Sequence, residues 1–189
     1  MKKNYLFLLA AIFCCVMTTT VFSACSIEEE GGGESNDNSV AVAVKAIDTI
    51  IVTDKLLEMF NLTIDYYDVD GKIKTEPLTT KTWIKSIKTP LPAKVGVRLK
   101  LDLKEGIAME DMKGLSFRGG RFSCFTYVVD QTDHIYTKSV QGDGSEISVH
   151  LPTDETRLEK LLDRYKNVGV EYYLYTYDEN GNYSSGAWQ

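Results

Sequence analysis

Cysteine, histidine and proline are scarce in this chain of 189 residues, which contains four, two and four of them respectively. Few thiols and imidazoles leave little material for a disulfide framework or for a metal site rich in those ligands. Basic residues are outnumbered too, since 21 lysines and arginines face 27 acids and the formal net charge is −6. Because such a chain lacks a basic surface to neutralise phosphates, we expect no nucleic-acid partner.

The common catalytic and nucleotide-binding motifs are absent as well. The sequence contains no Gly-x-Ser-x-Gly elbow, no P-loop and no Gly-x-Gly-x-x-Gly run. The acidic turns that end in Gly71 and Gly181 lack the Asp and Glu that open and close an EF-hand calcium loop. We therefore expect no catalytic residue, no metal and no cofactor. A hydrolase that uses carboxylates from distant strands is the lesser alternative.

Cys124 is the one cysteine far from the N-terminus. Its residue type allows a thiol–imidazole pair with His134 or His150. However, Cys124 shares its strand phase with Phe122 and Val128, so we expect a buried structural thiol rather than a nucleophile.

The first 24 residues have the layout of a removable export signal. Lys2 and Lys3 precede an unbroken apolar run at residues 6–17, and small and polar residues follow. Twelve apolar residues are too few to span a bilayer, which needs about 20. An uncleaved anchor that also uses residues 18–22 is the alternative.

Residues 22–25 read Phe-Ser-Ala-Cys and resemble the lipobox of bacterial lipoproteins. The resemblance implies that Cys25 is lipidated, by palmitate among other chains, and becomes the mature N-terminus. Cleavage after Ser23 by ordinary signal peptidase is the alternative. The acidic run at residues 26–30 resembles the surface-export signal of Bacteroidetes lipoproteins, which implies an outer-membrane, cell-surface location. Residues 25–39, rich in glycine and acids, then predict a flexible tether.

Residues 40–189 predict a single all-β domain. Runs rich in Val, Ile, Thr and Tyr recur about every ten residues and are broken by Gly, Asp and Asn. Within residues 94–103, Val and Leu alternate strictly with polar residues and Gly96, which is typical of an antiparallel sheet with one buried face. The predicted strands cover residues 40–52, 60–67, 72–77, 83–87, 94–103, 115–117 with 122–129, 134–140, 146–151 and 170–177.

Turns and one helix complete the predicted fold. Asp70-Gly71 and Asn180-Gly181 predict tight hairpins, the second returning through Tyr183 toward Trp188. Residues 54–58 predict a single helical turn. Residues 153–167 predict one short α-helix, whose leucines and Tyr165 recur at helical spacing. Together these elements predict an immunoglobulin-like two-sheet sandwich. Residues 54–63, the turn at 67–71 and the strand at Trp83 are similar to small Bacteroidetes surface lipoproteins, which implies the same fold and location.

Aromatic residues of the last long strand suggest a ligand. Tyr173, Tyr175 and Tyr177 fall on one strand face, and Trp188 and Tyr183 extend the row from the returning strand. Such a ladder on an exposed face could stack sugar rings. Alternatively, the aromatic pairs only stabilise the sheet. We therefore predict a lipid-anchored surface binding or accessory module, with glycan as a candidate ligand and no enzymatic activity. The alternative is a structural or protein-partner component of an outer-membrane assembly without a small ligand.

Overall fold

The computed structural model describes residues 40–141 and 145–188. The predicted export signal, Cys25 and the tether therefore lie outside the described residues. The described part is mainly antiparallel β structure in two sheets, and the predicted all-β two-sheet sandwich is confirmed.

The strands and helices follow the predicted order. The strands are β1 (Ala43–Val52), β2 (Phe60–Tyr67), β3 (Ile73–Leu78), β4 (Thr82–Pro90), β5 (Ala93–Leu103), β6 (Ser116–Val129), β7 (Ile135–Gln141), β8 (Ser145–His150), β9 (Glu171–Tyr177) and β10 (Tyr183–Ser185). The helices are α1 (Asp54–Met59), α2 (Met109–Met112) and α3 (Glu155–Asn167). The predicted helical turn and the predicted longer helix are α1 and α3.

Two antiparallel sheets pack against each other. Sheet 1 has the order β4-β1-β6-β7, and β8 also pairs with β6. Sheet 2 has the order β10-β9-β5-β2-β3. Alternate residues of each strand point between the sheets, and the largest fully buried side chains there include Tyr66, Tyr177, Phe60 and Phe122. Burial of this apolar surface supplies the main driving force for folding.

Helices lie on connections at which the chain changes sheets. α1 joins β1 to β2, α2 joins β5 to β6, and α3 joins β8 to β9. α3 begins at Asp154, whose carboxylate accepts a hydrogen bond from the Arg157 backbone N–H at 2.9 Å. Leu158 and Tyr165 of α3 are buried in the core, so the helix closes part of the sandwich, as its apolar spacing predicted.

The two predicted hairpins share one backbone pattern. Asp68 N–H donates to the Lys72 carbonyl in one turn, and Asp178 N–H donates to the Asn182 carbonyl in the other. The predicted positive φ is present, at +71° in Gly71 and +81° in Gly181. These turns set the registers of β2 with β3 and of β9 with β10.

The edge strands of the two sheets are joined by a cluster around Glu76, which we call the clasp. The Glu76 carboxylate of β3 accepts hydrogen bonds from Tyr66 Oη at 2.6 Å, Trp83 Nε1 at 3.0 Å and Lys85 Nζ at 2.8 Å. The hydrogen bond from Lys85, with those from Tyr66 and Trp83, lowers the pKa of Glu76 to about 2. Since Trp83 and Lys85 belong to β4, the clasp ties sheet 2 to sheet 1.

We expect Glu76→Gln to lower the free energy of unfolding by about 1–2 kcal/mol at neutral pH, because it removes a charge that three donors bind at a partly exposed site. Denaturant unfolding followed by tryptophan fluorescence measures this loss. The stabilisation is present above the unfolded pKa near 4.5 and declines as the pH falls toward 2. Glu58→Gln, at an exposed position of α1, is the control. Equal stability of the two variants at neutral pH would contradict a role for the clasp.

Candidate functional site

The predicted tyrosine ladder exists but faces the interior of the sandwich. Tyr173, Tyr175 and Tyr177 do share one face of β9, with the first two rings stacked at 6.2 Å, and Tyr183 extends the row. However, Tyr177 is fully buried, and Tyr173 packs on Phe122 of sheet 1 at 4.8 Å between ring centroids. The expected exposed face is therefore wrong. This row of rings mainly stabilises the sandwich.

Trp188 does not extend the ladder, because it lies on the opposite, outer face of sheet 2. Its ring contacts Tyr67 at 5.1 Å and the Arg98 guanidinium at 4.7 Å. Its indole Nε1 donates to the Tyr173 carbonyl at 2.9 Å, and the side chain is only 7% exposed. Trp188 thus fixes the C-terminal segment onto the sheet and offers little ring surface to a sugar.

The rest of the outer face of sheet 2 is covered or neutralised. Leu174 is buried there beneath the segment around Gly186 and does not contribute to the core between the sheets. Asp65, also buried, accepts hydrogen bonds from Thr75 at 2.7 Å and Arg98 at 2.8 Å, and pairs with Lys100 at 3.0 Å. Although burial raises its pKa, these contacts leave the pKa of Asp65 below its ordinary value. This face has satisfied its own charges.

A second buried acid, Asp48, lies between the sheets. It stands at the centre of β1, in register with Lys85 on one side and Cys124 on the other. The Lys85 ammonium is directed to Glu76, and Asp48 Oδ1 makes no hydrogen bond to any described residue. Burial raises the pKa of Asp48 to about 6, against a smaller opposing effect of the Cys124 thiol. Burial also raises the pKa of Cys124 itself, so the thiol is inert, as its strand phase predicted.

The outer face of sheet 1 is different, because large apolar side chains remain exposed on it. Ile84 of β4 is 63% exposed, Ile51 of β1 is 43% exposed and Phe125 of β6 is 37% exposed. We call the outward surface of β4, β1 and β6 the open face. Row by row, its central positions are Ser86, Ile47 and Phe125; Ile84, Thr49 and Ser123; and Thr82, Ile51 and Arg121.

The register makes the apolar side chains of the open face contiguous. Phe125 lies directly opposite Ile47, and Ile84 is the diagonal neighbour of both Ile47 and Ile51. Diagonal neighbours on a sheet are about 7–8 Å apart, within reach of large side chains. Contiguous exposed apolar surface is uncommon on monomeric proteins and marks sites of interaction.

A shallow depression of about 240 Å³ lies within the open face. The Thr49 and Ser123 side chains line it together with Ile51, Phe125 and Arg121. Hydroxyl groups and a guanidinium therefore meet two apolar walls in one place. Such a mixture can seat a side chain that has both an apolar stem and a polar end.

A β-bulge places Arg121 on the open face. The register of β6 with β8 shifts between Arg118 and Gly120, so Arg118 and Arg121 point outward together although they are three residues apart. Gly120 has φ +145°, and a Cβ there would lie 1.9 Å from the Ile51 carbonyl oxygen. Only glycine fits this position. The bulge also explains why the two predicted runs at 115–117 and 122–129 form one strand.

No family model, curated protein or solved structure matches the chain in the comparisons with known proteins. Within residues 40–141 and 145–188, no group of three or more His, Cys, Asp and Glu side chains is placed to hold a metal ion. The same residues contain no helix long and apolar enough to cross a bilayer.

Sequence reasoning missed both Asp48 and the open face. Asp48 shares its strand phase with Ala46 and Ile50, and this phase was the available signal of its burial. For the open face the signal was Ile47 and Ile51 in the opposite phase of the same strand. A strand that is apolar on both faces either is covered on both or exposes an interaction surface.

We expect Asp48→Asn to remove a pH dependence of stability between about pH 4 and 7. The pKa of Asp48 is raised in the folded state from 3.8 to about 6, so folding favours its protonated form. Its contribution is therefore full at low pH and is lost as the pH rises through 6, a change of about 3 kcal/mol. Chemical denaturation across this range measures the difference between the native chain and the variant.

Glu179→Gln, on an exposed turn, is the matched control for Asp48→Asn. We expect its stability to run parallel to that of the native chain at every pH. If the Asp48→Asn curve also runs parallel to the native one, Asp48 does not titrate as its burial requires.

Proposed function

We propose that this protein is a lipid-anchored surface module that docks a partner protein on its open face. The observation that carries the proposal is the contiguous exposed apolar surface of Ile47, Ile51, Ile84 and Phe125. Burial of several such side chains by a partner is the usual core of a protein–protein interface. The proposal includes no catalytic step.

The contrast between the two sheets supports this choice. On the outer face of sheet 2, Leu174 is covered by the chain itself and Asp65 is paired. On the open face, Ile84 and Ile51 remain in water. Burial of an apolar side chain is worth about 1.5–3 kcal/mol, so a partner gains more on the open face than on sheet 2.

A glycan is the weaker ligand class on this geometry. Of the aromatic residues predicted to stack sugars, Tyr177 and Trp188 are buried, on opposite sides of sheet 2. Tyr173 packs into the core beside Phe122. The apolar side chains of the open face, apart from Phe125, are aliphatic, and these offer no flat ring for a sugar.

The location remains part of the proposal through Cys25, which lies outside the described residues. If Cys25 is lipidated, the sandwich is held at the outer membrane and its open face can meet other membrane components. Several acyl chains hold a protein to a bilayer far more firmly than one, since each buried methylene adds about 0.8 kcal/mol.

We expect Cys25→Ala to release the protein from membranes, because the acyl attachment is lost. Fractionation of cells that make the variant measures this, with Ser26→Ala as the control that keeps membrane attachment. Continued retention of Cys25→Ala would indicate an uncleaved anchor instead. Digestion by protease added to intact cells tests outward display, and full protection would contradict it.

A photo-crosslinking residue tests docking directly. Phe125 on the open face and Tyr172 on the outer face of sheet 2 are each 37% exposed, so they form a matched pair of aromatic positions. We expect benzoylphenylalanine at Phe125 to give one discrete crosslinked species in intact cells, and the same residue at Tyr172 to give none.

Specificity is tested by a second substitution in the crosslinking variant. Ile84→Asp places a charge within the apolar patch, and we expect it to abolish the crosslink. Ile73→Asp, at a 48% exposed position on β3, is its control and should leave the crosslink intact. Equal crosslinking from Phe125 and Tyr172, or a crosslink that survives Ile84→Asp, would overturn the proposal.

A further inference from the structure

The open face is positively charged in a chain whose net charge is −6. Among the described residues of β4, β1 and β6, the only acid is Asp48, which points into the core. The outward positions of the same strands carry Lys45, Lys88, Arg118 and Arg121. A partner that carries acids is therefore electrostatically complementary to this face.

Arg121 differs from two of the other cations on the open face. Lys88 pairs with Asp133, and Arg118 Nε pairs with Glu146 at 2.8 Å. Arg121 is exposed and makes no hydrogen bond or ion pair with any described residue. Its five N–H donors, in a planar fork, match the geometry of a carboxylate.

The depression beside Arg121 supplies further donors and no competing acid. Thr49 and Ser123 lie directly opposite each other in the register, and their hydroxyls make no hydrogen bond within the described residues. Ile51 and Phe125 wall the depression, whose 240 Å³ equals roughly eight waters of about 30 Å³ each. A carboxylate on a short aliphatic stem fits this space and these donors.

We infer that the open face recognises an acidic and apolar segment of the partner protein, with a carboxylate of that segment bound by Arg121 over Thr49 and Ser123. This inference rests on the proposed function. The apolar side chains of the segment cover Ile84 and Phe125, and its acids face the cations. The strained bulge at Gly120 then has a role in recognition, since it turns Arg121 onto this face.

The experiment uses the full chain in detergent solution and two synthetic peptides. In one peptide glutamate alternates with leucine, and in the other glutamine takes the place of glutamate. Binding is measured by calorimetry and located by amide chemical shifts. We expect the glutamate peptide to shift the resonances of Thr49 and Ser123, to bind about tenfold more tightly than the glutamine peptide, and to weaken with added salt.

Arg121→Gln and Arg118→Gln form a matched pair, because both arginines flank the same bulge and only Arg118 is already paired with an acid. We expect Arg121→Gln to weaken the glutamate peptide about tenfold and Arg118→Gln to change its affinity less than about twofold. Circular dichroism and denaturant unfolding check that both variants fold.

Three results would overturn the inference. They are equal binding of the two peptides, equal losses in the two arginine variants, and tighter peptide binding after the acids of residues 28–37 are replaced by glutamine. The last would make this chain's own acidic segment the occupant. If any of these occurs while the Phe125 crosslink persists, carboxylate recognition fails and docking stands. Loss of the Phe125 crosslink overturns both.

Discussion

The alternation of side chains along β1 is the constraint on which the rest of the structure depends. β1 is the central strand of sheet 1 and pairs along nearly its whole length with β4 and β6. Because side chains of a strand alternate between faces, a slip of one residue would exchange its entire inward set for its outward set. The register of β1 therefore decides at once what is buried in the core and what the open face presents.

The inward phase of β1 carries an acid, and the outward phase carries isoleucines. Asp48 is buried between the sheets beside Cys124, whereas Ile47 and Ile51 point outward. Both choices oppose simple burial of apolar groups, yet the register is held by the neighbouring inward residues Ile50 and Val52 and by two paired strands. A fold that maintains such an arrangement stores about 3 kcal/mol of unfavourable ionisation at neutral pH in Asp48. It also keeps apolar surface available for a partner.

The strands, both hairpins and α3 could be predicted because local patterns determine them. Alternation in β5, the glycines at the hairpin turns and the leucine spacing of α3 each report on a few neighbouring residues. The side on which the tyrosines of β9 lie could not be predicted in this way. Tyrosine suits both buried and exposed faces, and Leu174 in the opposite phase is buried by the C-terminal segment rather than by the core. The answer depended on where residues distant in sequence return.

The open face illustrates the same limit for function. Neither Ile84, Ile51 nor Phe125 is unusual in its own strand, and single exposed apolar residues need no explanation. They become a surface only when β4, β1 and β6 are placed side by side, and Arg121 joins them only through the bulge at Gly120.

The chain also shows that it can cover such residues, since Trp188 and its neighbours close over Leu174 and Tyr67 on the other sheet. An apolar face that is left open in the same molecule, bordered by cations and without an outward acid on its three strands, is best explained by a partner that completes it.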